Sequence, residues 1–155
     1  VQENLFLSVS KPKNPFSLLI NNLKQNQEHQ VERLMKIVNL RSKSNIRAGS
    51  LSHGQKQWLE IAMLLGQKPS LMLVDEPVAG LTDEETELTA DLLKSLAGKN
   101  TVVVIDHDME FIRRLESDVT VLNQGKVLCE GKMEKIQNDP KVIEVYLGKQ
   151  EEISK

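Results

Sequence analysis

An apolar run that is followed at once by two acidic residues constrains the fold of this chain more than any other feature. Residues 71–74 are apolar and are followed at once by Asp75, Glu76 and Pro77. Such a run is typical of a strand in a parallel sheet. A second run, residues 101–105, is apolar and β-branched, and predicts another buried strand parallel to the first. Acids at the carboxyl end of a strand lie where open α/β sheets bind ligands, so the sequence predicts an α/β fold with a ligand site at this edge.

The residues before the first strand predict a helix that begins at Ser52. Ser52 and Gln55 have the spacing of a capping box, and an apolar stripe that includes Trp58 continues to Gly66. Unpaired backbone N–H groups and a hydroxyl at such a helix start would face an anion. A capping box alone is common, so a purely structural role for Ser52 stays open at this point. Trp58 is predicted to lie in the core.

Four short motifs resemble those of the ATP-binding subunits of ABC transporters, in the order and spacing of that family. They are the signature motif at residues 51–55, the Walker B strand with its catalytic glutamate at residues 71–76, the D-loop at residues 79–83, and the switch histidine at His107. The resemblance implies the C-terminal part of an ABC-type P-loop NTPase domain, with a parallel sheet flanked by helices and a helical subdomain.

The resemblance implies catalytic roles for three residues at the strand ends. Asp75 would hold Mg²⁺, directly or through water, and Glu76 would be the general base that polarises the attacking water. His107 would contact the γ-phosphate of ATP. The run Asp106-His107-Asp108 also contains metal-ligand residue types, but no second His or Cys stands at ligand spacing, so a metal site is not favoured there.

The resemblance also implies that each nucleotide site is shared between two subunits. Ser52, Gly54 and Gln55 would offer a hydroxyl, N–H groups and an amide to ATP held by a second ATP-binding subunit. Asp83 would belong to the D-loop at the same interface, although an acid in the first turn of a helix also has a structural explanation. The other partners implied are transmembrane permease subunits, which would hold the chain at the inner face of the plasma membrane.

Charge and cysteine content exclude some other classes of protein. The 155 residues carry a formal net charge of -2, and Lys and Arg are scattered, so no basic footprint for nucleic acid is present. Cys129 is the single cysteine and cannot form an internal disulfide. No apolar run approaches the length that spans a bilayer, so a cytoplasmic location is expected.

We divide the chain into residues 1–50, a partial helical subdomain, and residues 51–155, which hold the signature helix and the RecA-like catalytic subdomain. A phosphate-binding loop needs Gly-x-x-x-x-Gly-Lys-Ser/Thr, and the one glycine pair at that spacing, Gly49 and Gly54, is followed by Gln55 and Lys56. The chain also begins with Val1 and not Met. We therefore expect the Walker A loop and the Q-loop to precede Val1, with the chain forming roughly two thirds of a subunit.

Periodicity and turn residues predict the remaining elements. These are short helices broken at Pro12 and Pro15, a helix near Gln27 to Leu40, a loop from Arg41 to Gly49, a helix from Thr82 to about Gly98, a helix capped by Asp108, a hairpin around Asn123-Gln124-Gly125, and two tail helices near Met133 to Gln137 and after Asp139-Pro140.

A narrower resemblance concerns the transported solute. Residues 56–60 and 142–148 are similar to importers of the branched-chain amino acid group, and within it to the urea-type subunit. The expected function is therefore an ATPase that energises uptake of urea, short amides or branched-chain amino acids. The alternatives are an ABC ATPase of DNA repair or translation, and a fragment without catalytic activity.

Overall fold

The computed structural model describes residues 1–9 and 21–145. Its helices are α1 (Gln2–Val9), α2 (Asn21–Ile37), α3 (His53–Gly66), α4 (Asp83–Leu96), α5 (Met109–Arg114) and α6 (Met133–Ile136). Its strands are β1 (Leu71–Asp75), β2 (Thr101–Ile105), β3 (Asp118–Asn123) and β4 (Lys126–Lys132). Residues 140–145 are also helical. The predicted α/β class is confirmed, and no helix in the described ranges is long and apolar enough to cross a membrane.

The chain divides into two compact units, one ending at Asp106 and the other beginning at His107. This boundary differs from the division that we drew at residue 50. Helices α1 and α2 both pack against α3, so the signature helix shares a compact unit with residues 1–50. The division at residue 50 therefore stays a prediction about subdomains.

The helical part of the first unit is built on a shared apolar core. Leu5 of α1 packs into the same buried set as Val31 and Leu34 of α2. Helix α2 begins earlier than predicted and ends before Asn39, whose left-handed backbone (φ 53°) stops it. Residues 41–49, predicted as a loop, contain two short 3₁₀ turns. The helix breaks predicted at Pro12 and Pro15 lie outside the described residues.

Strands β1 and β2 pair in parallel, as predicted, with Leu73 opposite Val103 and Asp75 opposite Ile105. The prediction that both strands are buried is wrong for one face. Met72 is buried, but the side chain of Leu73 is 66% exposed and that of Ile105 is 58% exposed. Successive side chains of a strand point to opposite faces, and among the described residues only one face of this pair is covered.

Helix α4 connects the two strands and begins and ends near the predicted positions. Thr82 caps it, and its last residue is Leu96. Gly98 follows with a positive φ of 90°, a conformation that suits glycine after a helix end. One of its buried residues is Thr89, whose hydroxyl accepts a 2.9 Å hydrogen bond from Trp58 Nε1, so the predicted burial of Trp58 is confirmed.

The second unit is a capped helix, a hairpin and a small core. Asp108 caps α5 by accepting hydrogen bonds from the N–H groups of Glu110 and Phe111 at 2.9 and 3.0 Å. Strands β3 and β4 form the predicted antiparallel hairpin. Its apolar side packs with α6 around a core of Val121, Cys129, Met133, Ile136 and Val142. The end of the predicted tail helix lies outside the described residues.

Candidate functional site

Two carboxylates stand side by side at the carboxyl end of β1. Asp75 is the last residue of the strand and Glu76 follows it, and both side chains are exposed. The Glu76 N–H donates a 2.8 Å hydrogen bond to the carbonyl of Ile105, the last residue of β2. Pro77 is fully buried. The backbone at the two acids is therefore tied to the end of β2.

The backbone at Glu76 is left-handed, with φ 45°. This conformation costs an L-amino acid free energy, and it is uncommon for a residue other than glycine, asparagine or aspartate. The Ala79 N–H then donates to the Glu76 carbonyl at 3.3 Å and closes a tight turn. Sequence reasoning missed this feature, because glutamate is not a residue type that signals a left-handed turn. Strained backbone of this kind is concentrated at functional sites.

The start of α3 carries the predicted signature residues. The Gln55 N–H donates to Ser52 Oγ at 3.2 Å, and the Ser52 N–H donates to Gln55 Oε1 at 3.3 Å, so the capping box is confirmed. Gly54 is buried between them. The Gln55 side-chain oxygen is committed to the cap, whereas the N–H groups of His53 and Gly54 belong to the first turn, where a helix leaves donors for an anion.

The segment from residue 79 to Asp83 lies beside that helix start. His53 Nε2 is 3.0 Å from the carbonyl oxygen of Ala79, a hydrogen bond that requires a proton on Nε2. Asp83 is the first residue of α4 and is exposed. The structure thus brings the signature and D-loop motifs together within one unit. His53 was not predicted to take part, and its position inside the signature motif was the signal for it.

The candidate residues fall into three places. Asp75 and Glu76 form one group, and the signature residues with Asp83 form another, both within the first unit. His107 is exposed and is the first residue of the second unit. It follows the end of β2 by two residues, as the sequence predicts. Its role toward a phosphate stays a prediction.

The donors at the β1 end suit magnesium held mainly by a phosphate ligand. Mg²⁺ keeps several waters and takes only one or two protein carboxylates when it binds with a nucleotide. Asp75 is an exposed carboxylate of this kind. Within residues 1–9 and 21–145, no group of three or more His, Cys, Asp or Glu side chains is arranged to hold a metal by itself. The residues present therefore fit Mg²⁺ that arrives with a nucleotide.

Comparison with known families shows to which family the chain belongs. The profile described as "ABC transporter" matches residues 1–79, about half of the chain. The chain belongs to the ABC transporter family. A second profile of that group, described as "Branched-chain amino acid ATP-binding cassette transporter", matches residues 126–152. The recognition made from the four motifs is confirmed.

Several ABC proteins resemble the chain over most of its length. The high-affinity branched-chain amino acid transport ATP-binding protein BraF of Pseudomonas aeruginosa is 39% identical over 113 residues, which are 72% of this chain and 44% of that protein. The methionine import ATP-binding protein MetN of Bartonella henselae is 38% identical over 130 residues, 81% of this chain and 37% of that protein. A nucleotide-free ATP-binding cassette from an ABC transporter has a TM-score of 0.75 at 25% identity, over 94% of this chain and 61% of that one.

The chain spans less than half the length of these curated ABC relatives. The first profile covers the signature and Walker B segments and ends at residue 79, where the D-loop segment begins, and the second profile begins at residue 126. No phosphate-binding loop occurs in the 155 residues. The activity of the whole protein is therefore a matter for proposal.

Proposed function

We propose that this chain is the part of an ATPase subunit that supplies the acidic residues of one nucleotide site and the signature surface of another. The observation that carries the proposal is the pair Asp75 and Glu76, exposed at a strand end and fixed there by the 2.8 Å bond from Glu76 N–H to Ile105. Hydrolysis of a nucleoside triphosphate needs a metal anchor and an oriented water, with little covalent chemistry from the protein. Two adjacent carboxylates meet both needs.

In this proposal the carboxylates have separate tasks. Asp75 holds the Mg²⁺ that accompanies ATP, and the metal offsets negative charge on the phosphate oxygens. Glu76 accepts a hydrogen bond from the attacking water and takes its proton as the water oxygen bonds to the γ-phosphorus. The bond from that phosphorus to the oxygen bridging the β-phosphate breaks in the same step, and ADP and phosphate leave. His107 contacts the γ-phosphate from beyond the end of β2. ATP and Mg²⁺ are thus the substrate and cofactor.

The signature residues serve a nucleotide held by a second ATP-binding subunit, identical or homologous. Ser52 contributes its hydroxyl, and Gly54 and Gln55 contribute donors around the start of α3, where the helix dipole favours an anion. Asp83 lies in the adjoining D-loop segment at the same interface. Two subunits paired in this way enclose ATP between them.

We further propose that the subunit energises an importer of amino acids. The relatives named above are described as acting in branched-chain amino acid transport and methionine import, and residues 126–152 match the branched-chain profile. Branched-chain amino acids are the first substrate class, and urea or short amides are the second, supported by residues 56–60 and 142–148. Permease subunits would hold the ATPase at the inner face of the plasma membrane.

Uptake by intact cells tests this proposal. Cells that lack the gene are complemented with the parent gene, with Glu76→Gln, or with Glu84→Gln, which makes the same charge change at an exposed acid of α4. Uptake of labelled leucine, methionine and urea is measured. The parent and Glu84→Gln should restore uptake of an amino acid, and Glu76→Gln should not. Restoration of urea uptake alone would overturn amino acids as the substrate class and leave the second class, urea or short amides. Equal uptake by all strains would overturn the role in import and favour an inert fragment or a non-transport ATPase.

A further inference from the structure

The carboxylate of Glu85 lies where two helices begin. Its Oε2 accepts hydrogen bonds from the Thr82 N–H at 3.2 Å and the Thr82 hydroxyl at 3.4 Å, which completes the capping box of α4. Its Oε1 accepts a hydrogen bond from the Ser52 hydroxyl at 3.3 Å, and Ser52 is the cap of α3. Each oxygen of one half-buried side chain thus serves a different helix.

The Glu85 carboxylate also lies directly against Gly54. A Cβ placed on Gly54 would lie 2.7 Å from both Cδ and Oε1 of Glu85, closer than a real Cβ approaches another heavy atom. Gly54 is not among the residues with a positive φ, so its backbone does not itself require glycine. A side chain at position 54 would therefore require the Glu85 carboxylate to move away from the α3 backbone and give up its present contact with Ser52.

A second contact between the same helices lies deeper in the unit. Trp58 Nε1 donates to Thr89 Oγ1 at 2.9 Å, and this hydroxyl in turn donates to the carbonyl of Glu85 at 2.7 Å. The Trp58–Thr89 bond is buried and does not use the Glu85 carboxylate. Loss of that carboxylate should therefore leave α3 packed on α4 and release only the exposed start of α3.

We propose that Glu85 is a positioning residue, which ties the signature serine to the D-loop segment so that both face the partner's nucleotide as one rigid surface. The role rests on the function proposed above. Before the partner's nucleotide arrives, Ser52 caps α3 through an Oγ lone pair and donates its hydroxyl hydrogen to Glu85, which fixes the side chain in one rotamer. When the nucleotide binds, the hydroxyl turns this one hydrogen to the phosphate, with Oγ already in place. The same carboxylate fixes Thr82, the residue before Asp83.

The substitution Glu85→Gln distinguishes the hydrogen bond between Ser52 and Glu85 from the capping of α4. Glutamine completes a capping box as well as glutamate does, so α4 keeps its cap. With the glutamine oxygen on the Thr82 N–H, the other end of the amide is an NH₂ donor, so it cannot accept the Ser52 hydroxyl hydrogen as Oε1 of Glu85 does. In the full gene product we expect Glu85→Gln to lower kcat for ATP hydrolysis roughly tenfold, the usual effect of losing a hydrogen bond to a charged group, with KM for ATP unchanged. Glu84→Gln is the matched control and should keep the parent kcat.

Thermal unfolding tests the contact independently of activity. Gly54→Ala should lower Tm while Glu85 is present, because of the 2.7 Å approach, and should keep or raise Tm in a Glu85→Ala background, where alanine only improves the helix. The same effect of Gly54→Ala in both backgrounds would overturn the contact.

The kinetic outcomes distinguish this proposal from the proposed function. If the parent protein hydrolyses ATP and Glu85→Gln has the same kcat, only the positioning role of Glu85 is overturned. A higher kcat in Glu85→Gln would also overturn it, because the carboxylate would then compete with phosphate for the Ser52 hydroxyl. A parent protein without ATPase activity would overturn the proposed function and with it the role of Glu85, whatever the unfolding experiment shows.

Discussion

Glu76 combines the carboxylate expected of a general base with a left-handed backbone at φ 45°. A left-handed residue with a Cβ costs about 1–2 kcal/mol relative to the right-handed region, and glycine does not incur this cost. The turn that follows keeps Glu76 there through the bonds of its N–H to Ile105 and of its carbonyl to Ala79. The position of the side chain thus depends on strain that the surrounding contacts maintain.

Removing that strain should stabilise the fold at the expense of activity. Glu76→Gly should have a free energy of unfolding about 1 kcal/mol higher than Glu76→Ala, and both should lose hydrolysis because the carboxylate is gone. Urea denaturation measures the difference. Glu60→Gly and Glu60→Ala, at an exposed position within α3, are the control pair and should show the opposite order. An alanine variant at position 76 as stable as the glycine variant would contradict the account of the strain.

A second residue-level prediction concerns the thiol of Cys129, which donates to Asp139 Oδ2 at 3.3 Å. This hydrogen bond is the largest cause that holds the pKa of Asp139 below its ordinary value, and backbone N–H groups from Lys141 and Val142 add to it. Burial and the same hydrogen bond raise the pKa of Cys129. Because the folded pKa of Asp139 is depressed, its contribution to stability is present above the unfolded pKa and is lost as the pH falls through the folded pKa, below about pH 4.

Cys129→Ala should therefore raise the pKa of Asp139 toward its ordinary value and weaken the acid dependence of unfolding. An NMR titration of the Asp139 carboxyl carbon measures the change. Cys129→Ser keeps an O–H donor and should leave the pKa low. If Asp139 titrates identically in Cys129→Ala and in the parent, the hydrogen bond from the thiol does not lower the pKa of Asp139.

At the scale of single elements, the features that neighbouring residues determine could be predicted from the sequence. The features that depend on tertiary contacts could not. The starts of α3 and α4 were predictable because Ser52 with Gln55 and Thr82 with Glu85 are capping pairs that act within four residues. The parallel pairing of β1 with β2 followed from the intervening helix. The exposure of Leu73 and Ile105 was not predictable, because an apolar residue does not reveal whether its face of a sheet is covered. The contact of Ser52 with Glu85 spans 33 residues and has no local signal.

The start of α3 should also decide whether two subunits pair. Ser52→Arg should abolish ATP-dependent dimers, because the arginine side chain would fill the space at the helix start where phosphate must lie. Light scattering in a Glu76→Gln background, which slows hydrolysis, measures the dimers. Gln67→Arg makes the same charge change at the exposed C-terminal end of α3 and should still allow pairing. If Ser52→Arg still forms dimers at the ATP concentration that dimerises the parent, capping of α3 is the only role left for Ser52.

At the scale of the whole molecule, the unit that ends at Asp106 holds Asp75 and Glu76 together with the predicted signature residues, and the 155 residues contain no phosphate-binding loop. Two carboxylates would then face a polyanion with only Mg²⁺ between them. The 155-residue chain alone should show no saturable MgATP binding below about millimolar, an affinity worth only about -4 kcal/mol. Isothermal titration of the purified chain measures this, and micromolar affinity would show that these residues bind nucleotide unaided.

The steady-state ATPase rate of the full gene product, with and without the Glu76 carboxylate, tests whether Glu76 is the general base. Glu76→Gln keeps the size of the side chain and its polarity but cannot accept a proton from water. We expect hydrolysis to slow by roughly 10²–10⁴-fold, the usual contribution of a positioned general base, while the affinity for MgATP stays at the parent value. A rate within about threefold of the parent would contradict the assignment of Glu76 and the mechanism built on it.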